Sequence, residues 1–261
     1  MKPARKLLIG SNLKMYKTIV ETMVYLTQLQ KLTTDLSRDD ISVFIIPSYT
    51  SLPAASKIMG GVLQLGAQNM SWEESGQFTG EISPVMLKEL NLDIVEIGHS
   101  ERRHVFGETD QDENKKVLAA LNHGFTALLC IGETASDTEL GISVEKLRIQ
   151  LKVGLRGVHA DLIDHLWIAY EPVWAIGVNG VPASPEYASN MHAKIHETLV
   201  EIFPEHNNNI PILYGGSVTQ QNCNELIVQP FIDGLFIGRA AWNADDMNAI
   251  IRKVLPLWQK K

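Results

Sequence analysis

The chain has 261 residues, 45% hydrophobic and 20% charged, with a net charge of −7, the profile of an ordinary soluble globular protein long enough to bury a core without disulfides or structural metals. The acidic balance argues against a nucleic-acid surface, whose mark is a basic patch, and leaves any anionic ligand to local donors. Cys130 and Cys223 form no motif and read as reduced thiols of a cytoplasmic protein. The basic start, Met1 to Lys6, precedes an apolar run of only three residues, which is too short for a signal peptide or a membrane span.

Short apolar runs then alternate with helix-period segments, and no linker or composition break divides them, so a single domain over residues 1–261 is expected. The runs are 7–9, 41–46, 62–67, 94–98, 126–131, 166–170, 210–214 and 234–237. Each is too short for a helix and apolar throughout, as a strand buried on both faces should be. Thr18 and Glu21 form a capping box ahead of Ile19, Val20, Met23 and Val24. Asp110 opens a segment that buries Val117, Leu118 and Leu121 and stops near Gly124. Ser184 and Pro185 supply a cap and a first helical residue before Met191, Ile195 and Leu199. A last helix covers roughly residues 244–255. Eight strands alternating with helices over this length predict a closed α/β barrel of eight parallel strands, (β/α)₈. The alternative is an open doubly wound sheet, which usually carries a glycine-rich turn after its first strand; here that turn reads Gly10-Ser11-Asn12-Leu13-Lys14.

In such barrels chemistry gathers where the strands end. Asn12 and Lys14 follow the first strand, and a lysine there either holds an anionic substrate and its developing oxyanion or is a solvated surface group. After the fourth comes Gly98-His99-Ser100-Glu101-Arg102-Arg103. His99, leading into a helical turn, is a neutral hydrogen-bond donor to a carbonyl or else a structural histidine; Glu101 and the arginines read as ion pairs that orient Lys14. Glu171 ends the sixth strand among apolar neighbours, which suits a base with a raised pKa, or a carboxylate paired with an arginine. The small, glycine-containing stretch 175–183 has the composition of a mobile lid, or of an ordinary connecting loop. Tyr214-Gly215-Gly216-Ser217-Val218 and Gly238-Arg239-Ala240-Ala241 follow the last two strands, where such turns present backbone N–H groups to a phosphate.

The run from Ala169 to Gly177, the histidine segment and the Tyr214–Val218 turn together resemble the triosephosphate isomerase family, in the right order and across the whole chain. The resemblance implies a TIM barrel and an aldose–ketose-type isomerase of a small phosphorylated sugar, with no metal and no organic cofactor. It implies that Glu171 is the base, His99 the neutral electrophile, and Lys14 and Asn12 the substrate-binding and enediolate-stabilising groups. Glu101 would position Lys14, and Ser100 would support Glu171 in the open form. Gly177, Ser217, Gly238 and Arg239 would contact the phosphate. A homodimer would form through the loop from Gln68 to Ser83, with Thr79 reaching near the partner's lysine, and neither nucleic acid nor membrane would be involved.

Four features depart from the family's usual pattern. The lysine segment reads Asn12-Leu13-Lys14-Met15-Tyr16, where Asn-Trp-Lys-Met-Asn is usual. The lid is one residue longer, with Pro182 near its second hinge. Arg239 replaces a second glycine, and Ala240-Ala241-Trp242 stands where Ala-Ser-Leu is usual. The longer lid and Gly-Arg-Ala-Ala-Trp resemble a branch that interconverts erythrulose phosphates. The first expectation is therefore interconversion of dihydroxyacetone phosphate and D-glyceraldehyde 3-phosphate. The alternative is a paralogous isomerase of L-erythrulose 1-phosphate and D-erythrulose 4-phosphate, and a remote third is a non-catalytic phosphate-ligand-binding protein of the same fold.

Overall fold

The structure, a computed structural model, describes residues 6–177, 180–205 and 210–261. Its strands are β1 (Leu7–Asn12), β2 (Ile41–Ile46), β3 (Leu63–Ala67), β4 (Ile94–Ile97), β5 (Thr126–Ile131), β6 (Leu166–Tyr170), β7 (Ile212–Tyr214) and β8 (Gly234–Phe236). They pair in sequence order, all parallel, and β1 meets β8 through Leu8↔Gly234, Ile9↔Leu235 and Gly10↔Phe236 to close the barrel. This is the expected TIM barrel.

The strand ends differ from the expected runs for local reasons. β1 continues to Asn12, because Leu7 to Asn12 pair residue by residue with Ile41 to Ile46. β7 begins at Ile212, after Pro211, which has no N–H to give a ladder. Of the helices, Ile19–Leu32 carries the Thr18–Glu21 capping box, Pro185–Ile202 is capped by Ser184, and Ala244–Trp258 is capped by Asn243. The helix Asp110–Asn122 opens at Asp110 as expected and is capped by Thr109 in a capping box with Asp112.

Strand side chains alternate between two apolar cores. Leu7, Ile9, Ile41, Val43 and their counterparts face the helices, while Leu8, Phe44, Ile46, Ile94, Leu128, Cys130, Ala169, Leu213 and Phe236 fill the barrel. Phe44 plugs the interior, stacked on Phe236 with ring centroids 5.6 Å apart. It needs a glycine at position 10, since a Cβ there would lie 2.0 Å from the ring. One step further along the strands this apolar filling gives way to polar groups: Asn12 on β1, Glu96 on β4 and, just past β6, Glu171, all buried. Among the described residues no helix is long and apolar enough to cross a membrane.

Candidate active site

Glu171 follows Trp167 and Ala169 in the alternation of β6, so it turns into the barrel mouth. Two glycines make room for it. A Cβ on Gly132 would lie 1.9 Å from the Glu171 carbonyl oxygen, and one on Gly215 would lie 2.7 Å from its Cγ. The carboxyl is buried, and burial pushes its pKa up to about 8 despite the lowering effect of Lys14. Its Oε2 has no hydrogen-bond partner and lies 3.7 Å from His99 Nε2.

His99 precedes the short helix Ser100–His104 and caps it, its Nδ1 accepting from the Glu101 N–H at 3.1 Å. An accepting Nδ1 leaves the ring proton on Nε2, which faces Glu171 and the cavity. Burial first, then the Lys14 charge, lowers the pKa of the ring to about 4. Both features favour a neutral ring with its proton on Nε2.

Lys14 sits at φ 50°, left-handed backbone that few non-glycine residues adopt. The turn is held by Asn12, whose Oδ1 accepts from the Lys14 N–H at 2.6 Å and from Gln68 Nε2 at 3.2 Å. Gln68 Nε2 also donates to the Lys14 carbonyl at 2.8 Å. The Lys14 ammonium is paired with Glu101 at 2.8 Å, the positioning contact expected for Glu101. The other arginines tie loops together: Arg102 and Lys116 both meet Glu108, and Arg103 bridges Asp110 and Glu113.

A cavity of about 540 Å³ gathers Asn12, Lys14, His99, Glu101, Glu171, Gly177, Ser217, Gly238 and Arg239 on one lining. Nine of the ten predicted site residues therefore converge. The tenth, Ser100, lies with Glu171 along a separate crevice behind the site. The expected support of Glu171 by Ser100 is not seen, because no hydrogen bond joins them and the carboxyl turns toward His99. Arg239 opens the single turn Arg239–Ala241 and is absent from the positive-φ positions, so its side chain imposes no backbone strain. It is exposed at the cavity wall, with no ion pair among the described residues.

Two departures 226 residues apart in sequence meet on the same wall. The rings of Tyr16 and Trp242 lie 4.4 Å apart, and Trp242 Nε1 donates to the Asn12 carbonyl at 2.9 Å. The lid region begins at a carboxylate that the sequence reading missed. Glu133, fully buried after β5, takes hydrogen bonds on one oxygen from Tyr170 Oη, Trp174 Nε1 and Tyr187 Oη, at 3.0, 3.0 and 2.9 Å. It therefore ties β6, the turn Val173–Ala175 and the helix Pro185–Ile202 together. The lid tip, Val178 and Asn179, lies outside the described residues.

Glu96 was missed as well. Its carboxyl is fully buried, accepts from Asn12 Nδ2 at 2.7 Å, and sits with donor atoms of His99 and Glu171 all within 4.8 Å of one another. Among the described residues this is the grouping that could face a cation. Glu96 already has one oxygen on Asn12, and burial together with the Glu171 charge raises its pKa well above the carboxylate range.

Residues 7–254 match the triosephosphate isomerase family. The chain belongs to that family. It is an enzyme of the family's intramolecular oxidoreductase type. Among its relatives is the L-erythrulose-1-phosphate isomerase of Rhizobium etli, 46% identical over 249 residues, covering 94% of this chain and 91% of the relative. Proteins of the same name from Brucella abortus and Mesorhizobium japonicum are 46% and 42% identical, with 92% and 91% of this chain covered and 93% and 92% of theirs. These relatives correct the first expectation for the substrate. They favour the four-carbon branch over interconversion of the triose phosphates, in agreement with the departures at Tyr16, Arg239 and Trp242.

Proposed function

We propose that the enzyme isomerises L-erythrulose 1-phosphate to D-erythrulose 4-phosphate, with Glu171 as the base. The observation that carries this reading is the facing of the Glu171 carboxyl and the His99 Nε2–H, 3.7 Å apart, across a cavity that also holds the Lys14 ammonium. In the substrate the ketone lies at C2, next to the phosphate-bearing carbon. Glu171 takes the proton from C3, and the C–H electron pair forms the C2–C3 double bond of an enediolate. The charge develops on O2, where Lys14 and the Nε2–H of His99 stabilise it. His99 passes its proton to O2 and recovers one from O3. Glu171 then delivers its proton to C2, which leaves the ketone at C3, and every atom is retained. Asn12 binds the same oxygens, and Ser217, Gly238, Gly177 and Arg239 hold the phosphate. A homodimer through the loop from Gln68 to Ser83 belongs to this reading. It is supported by Met15, 94% exposed, beside a second hollow lined by Lys14, Gln68, Gly80 and Glu81.

Compared with a triose phosphate, this substrate carries one more hydroxymethyl group. One methylene in a pocket is worth about 10–200-fold in discrimination. Steady-state kinetics on three- to five-carbon sugar phosphates test the reading. The expected result is a kcat/KM for L-erythrulose 1-phosphate at least about tenfold above that for glyceraldehyde 3-phosphate. The reverse order would sink it.

A further inference from the structure

The reaction above gives no task to Glu96, a fully buried carboxyl at the barrel mouth. Its parity on β4 is inward, like that of Ile94, which sets it beside Asn12, His99 and Glu171. We propose that Glu96 is a positioning residue of the reaction, a proton-bearing carboxyl that fixes the Asn12 amide toward the substrate and leaves Glu171 as the sole carboxylate beside it. The proposal rests on the reading of Glu171 as the base.

The hydrogen-bond inventory of Asn12 carries the first half. Its Oδ1 accepts from the Lys14 N–H and from Gln68, and one of its Nδ2 hydrogens goes to Glu96. Both oxygen lone pairs and one of two donors are then used, and one N–H remains for a ligand. A flipped amide would set Nδ2 against two donors, the Lys14 N–H and Gln68 Nε2, so Oδ1 keeps the accepting role. With the amide so oriented, the Glu96 oxygen holds one Nδ2 hydrogen and leaves the other for the cavity.

The second half follows from the neighbours. Glu96 is faced by Asn12 from β1, by Cys130 Sγ from β5 at 3.8 Å, and by Glu171 from beyond β6. His99 stands above it, and Lys14 and Glu101 lie further out, paired with each other. No lysine or arginine hydrogen-bonds to Glu96 among the described residues. Two buried carboxyls this close cannot both ionise and instead titrate as a pair. Glu171 must be ionised to take a proton, so the proton stays on Glu96.

Two substitutions and one spectrum test this. Glutamine mimics a neutral glutamic acid, so Glu96→Gln should keep kcat within a few-fold and leave the acid limb of the kcat/KM profile in place. Glu96→Val removes the acceptor for Asn12 and should lower kcat by roughly 10²-fold, the scale of a small misplacement of a catalytic group, with KM nearly unchanged. Rescue by glutamine at an equal melting temperature separates positioning from mere folding. Near-normal kcat in Glu96→Val would overturn the proposal. So would an acid limb moved down by a pH unit or more in Glu96→Gln, which would mean that a negative charge had been removed. Infrared difference spectra of wild type minus Glu96→Gln at neutral pH need no turnover. Loss of a protonated-carboxyl carbonyl stretch is expected, and loss of a carboxylate stretch would overturn the proposal even if Glu96→Val failed to fold. Kinetics use whichever sugar phosphate the wild type turns over. A wild type inert to all of them would defeat the reading of Glu171 as base, while the spectra would still decide where the proton on Glu96 resides.

Discussion

The two ends of the cavity are built differently. At the inner end, Glu171, His99 and Asn12 are buried, Asn12 bonded across to Glu96 on β4 and His99 to the Glu101 N–H of its own turn. At the outer wall, Tyr16 is 66% exposed and Arg239 is exposed, and both line the cavity with Trp242. On the proposed reading the inner end carries the chemistry. The outer wall carries this chain's departures, with Tyr16 and Arg239 open to solvent and Trp242 packed on the core and bonded to the Asn12 carbonyl. The same reading assigns reaction type and substrate length to different parts of the cavity.

The largest test of that division is Glu171→Gln, which should lower kcat by at least about 10²–10⁴-fold for any substrate, the usual span for a general base. The same change should raise stability. The folded carboxyl titrates near 8 against an ordinary 4.5. As pH rises between these values the unfolded chain loses this proton first, so the wild type loses stability over that window. Glutamine has nothing to lose, so its melting-temperature advantage should grow from pH 4.5 to 8 and then level off. An equal or lower melting point at pH 8 would contradict the buried placement of Glu171.

Next in size, Tyr16→Asn with Trp242→Leu should change the four-carbon to three-carbon ratio of kcat/KM by about 10–200-fold, with triose turnover little affected. An equal fall for both substrates would move the outer wall into the chemistry and break the comparison. The pH profile is the third measurement. kcat/KM should rise about tenfold per unit toward pH 8 as Glu171 ionises, with no step near the ordinary histidine value, because His99 remains neutral down to about 4. A histidine step near 6.5 would remove the neutral-imidazole assignment. The smallest effect is expected for Arg239→Gly. An exposed charge contributes about 0–1 kcal/mol, so KM should rise only a few-fold; a loss of kcat would mean that the guanidinium reaches the reacting carbons.

Most of the barrel was legible in the chain, because a strand buried on both faces writes itself as an unbroken apolar run and a capped helix announces its first turn. Glu171 and His99 stood out for a related reason, since each follows directly on such a run, and Lys14 comes a few residues after the first. Glu96 was not, although its signal was present: an acid at the inward parity of β4, within the run 94–98 that was read as apolar throughout. What gives it meaning is Asn12, 84 residues earlier, and only barrel closure sets the two side by side. Glu133 was hidden in the same way, its three donors coming from β6, the lid and the helix beyond. Gln68 was read only as part of a dimer loop, yet it fixes the turn at Lys14. The Ser100 expectation assumed one orientation of the base, and a carboxyl with an unbonded oxygen is free to take another.

The left-handed turn at Lys14 has a consequence for protein engineering. A side chain in that conformation costs about 1–2 kcal/mol, a cost that glycine escapes and asparagine reduces. A library at position 14 sorted only for heat resistance would therefore discard the lysine and enrich catalytically dead clones. Stabilising this enzyme by thermal selection alone needs that codon locked, and a rise in melting temperature from any change there should be treated as a warning.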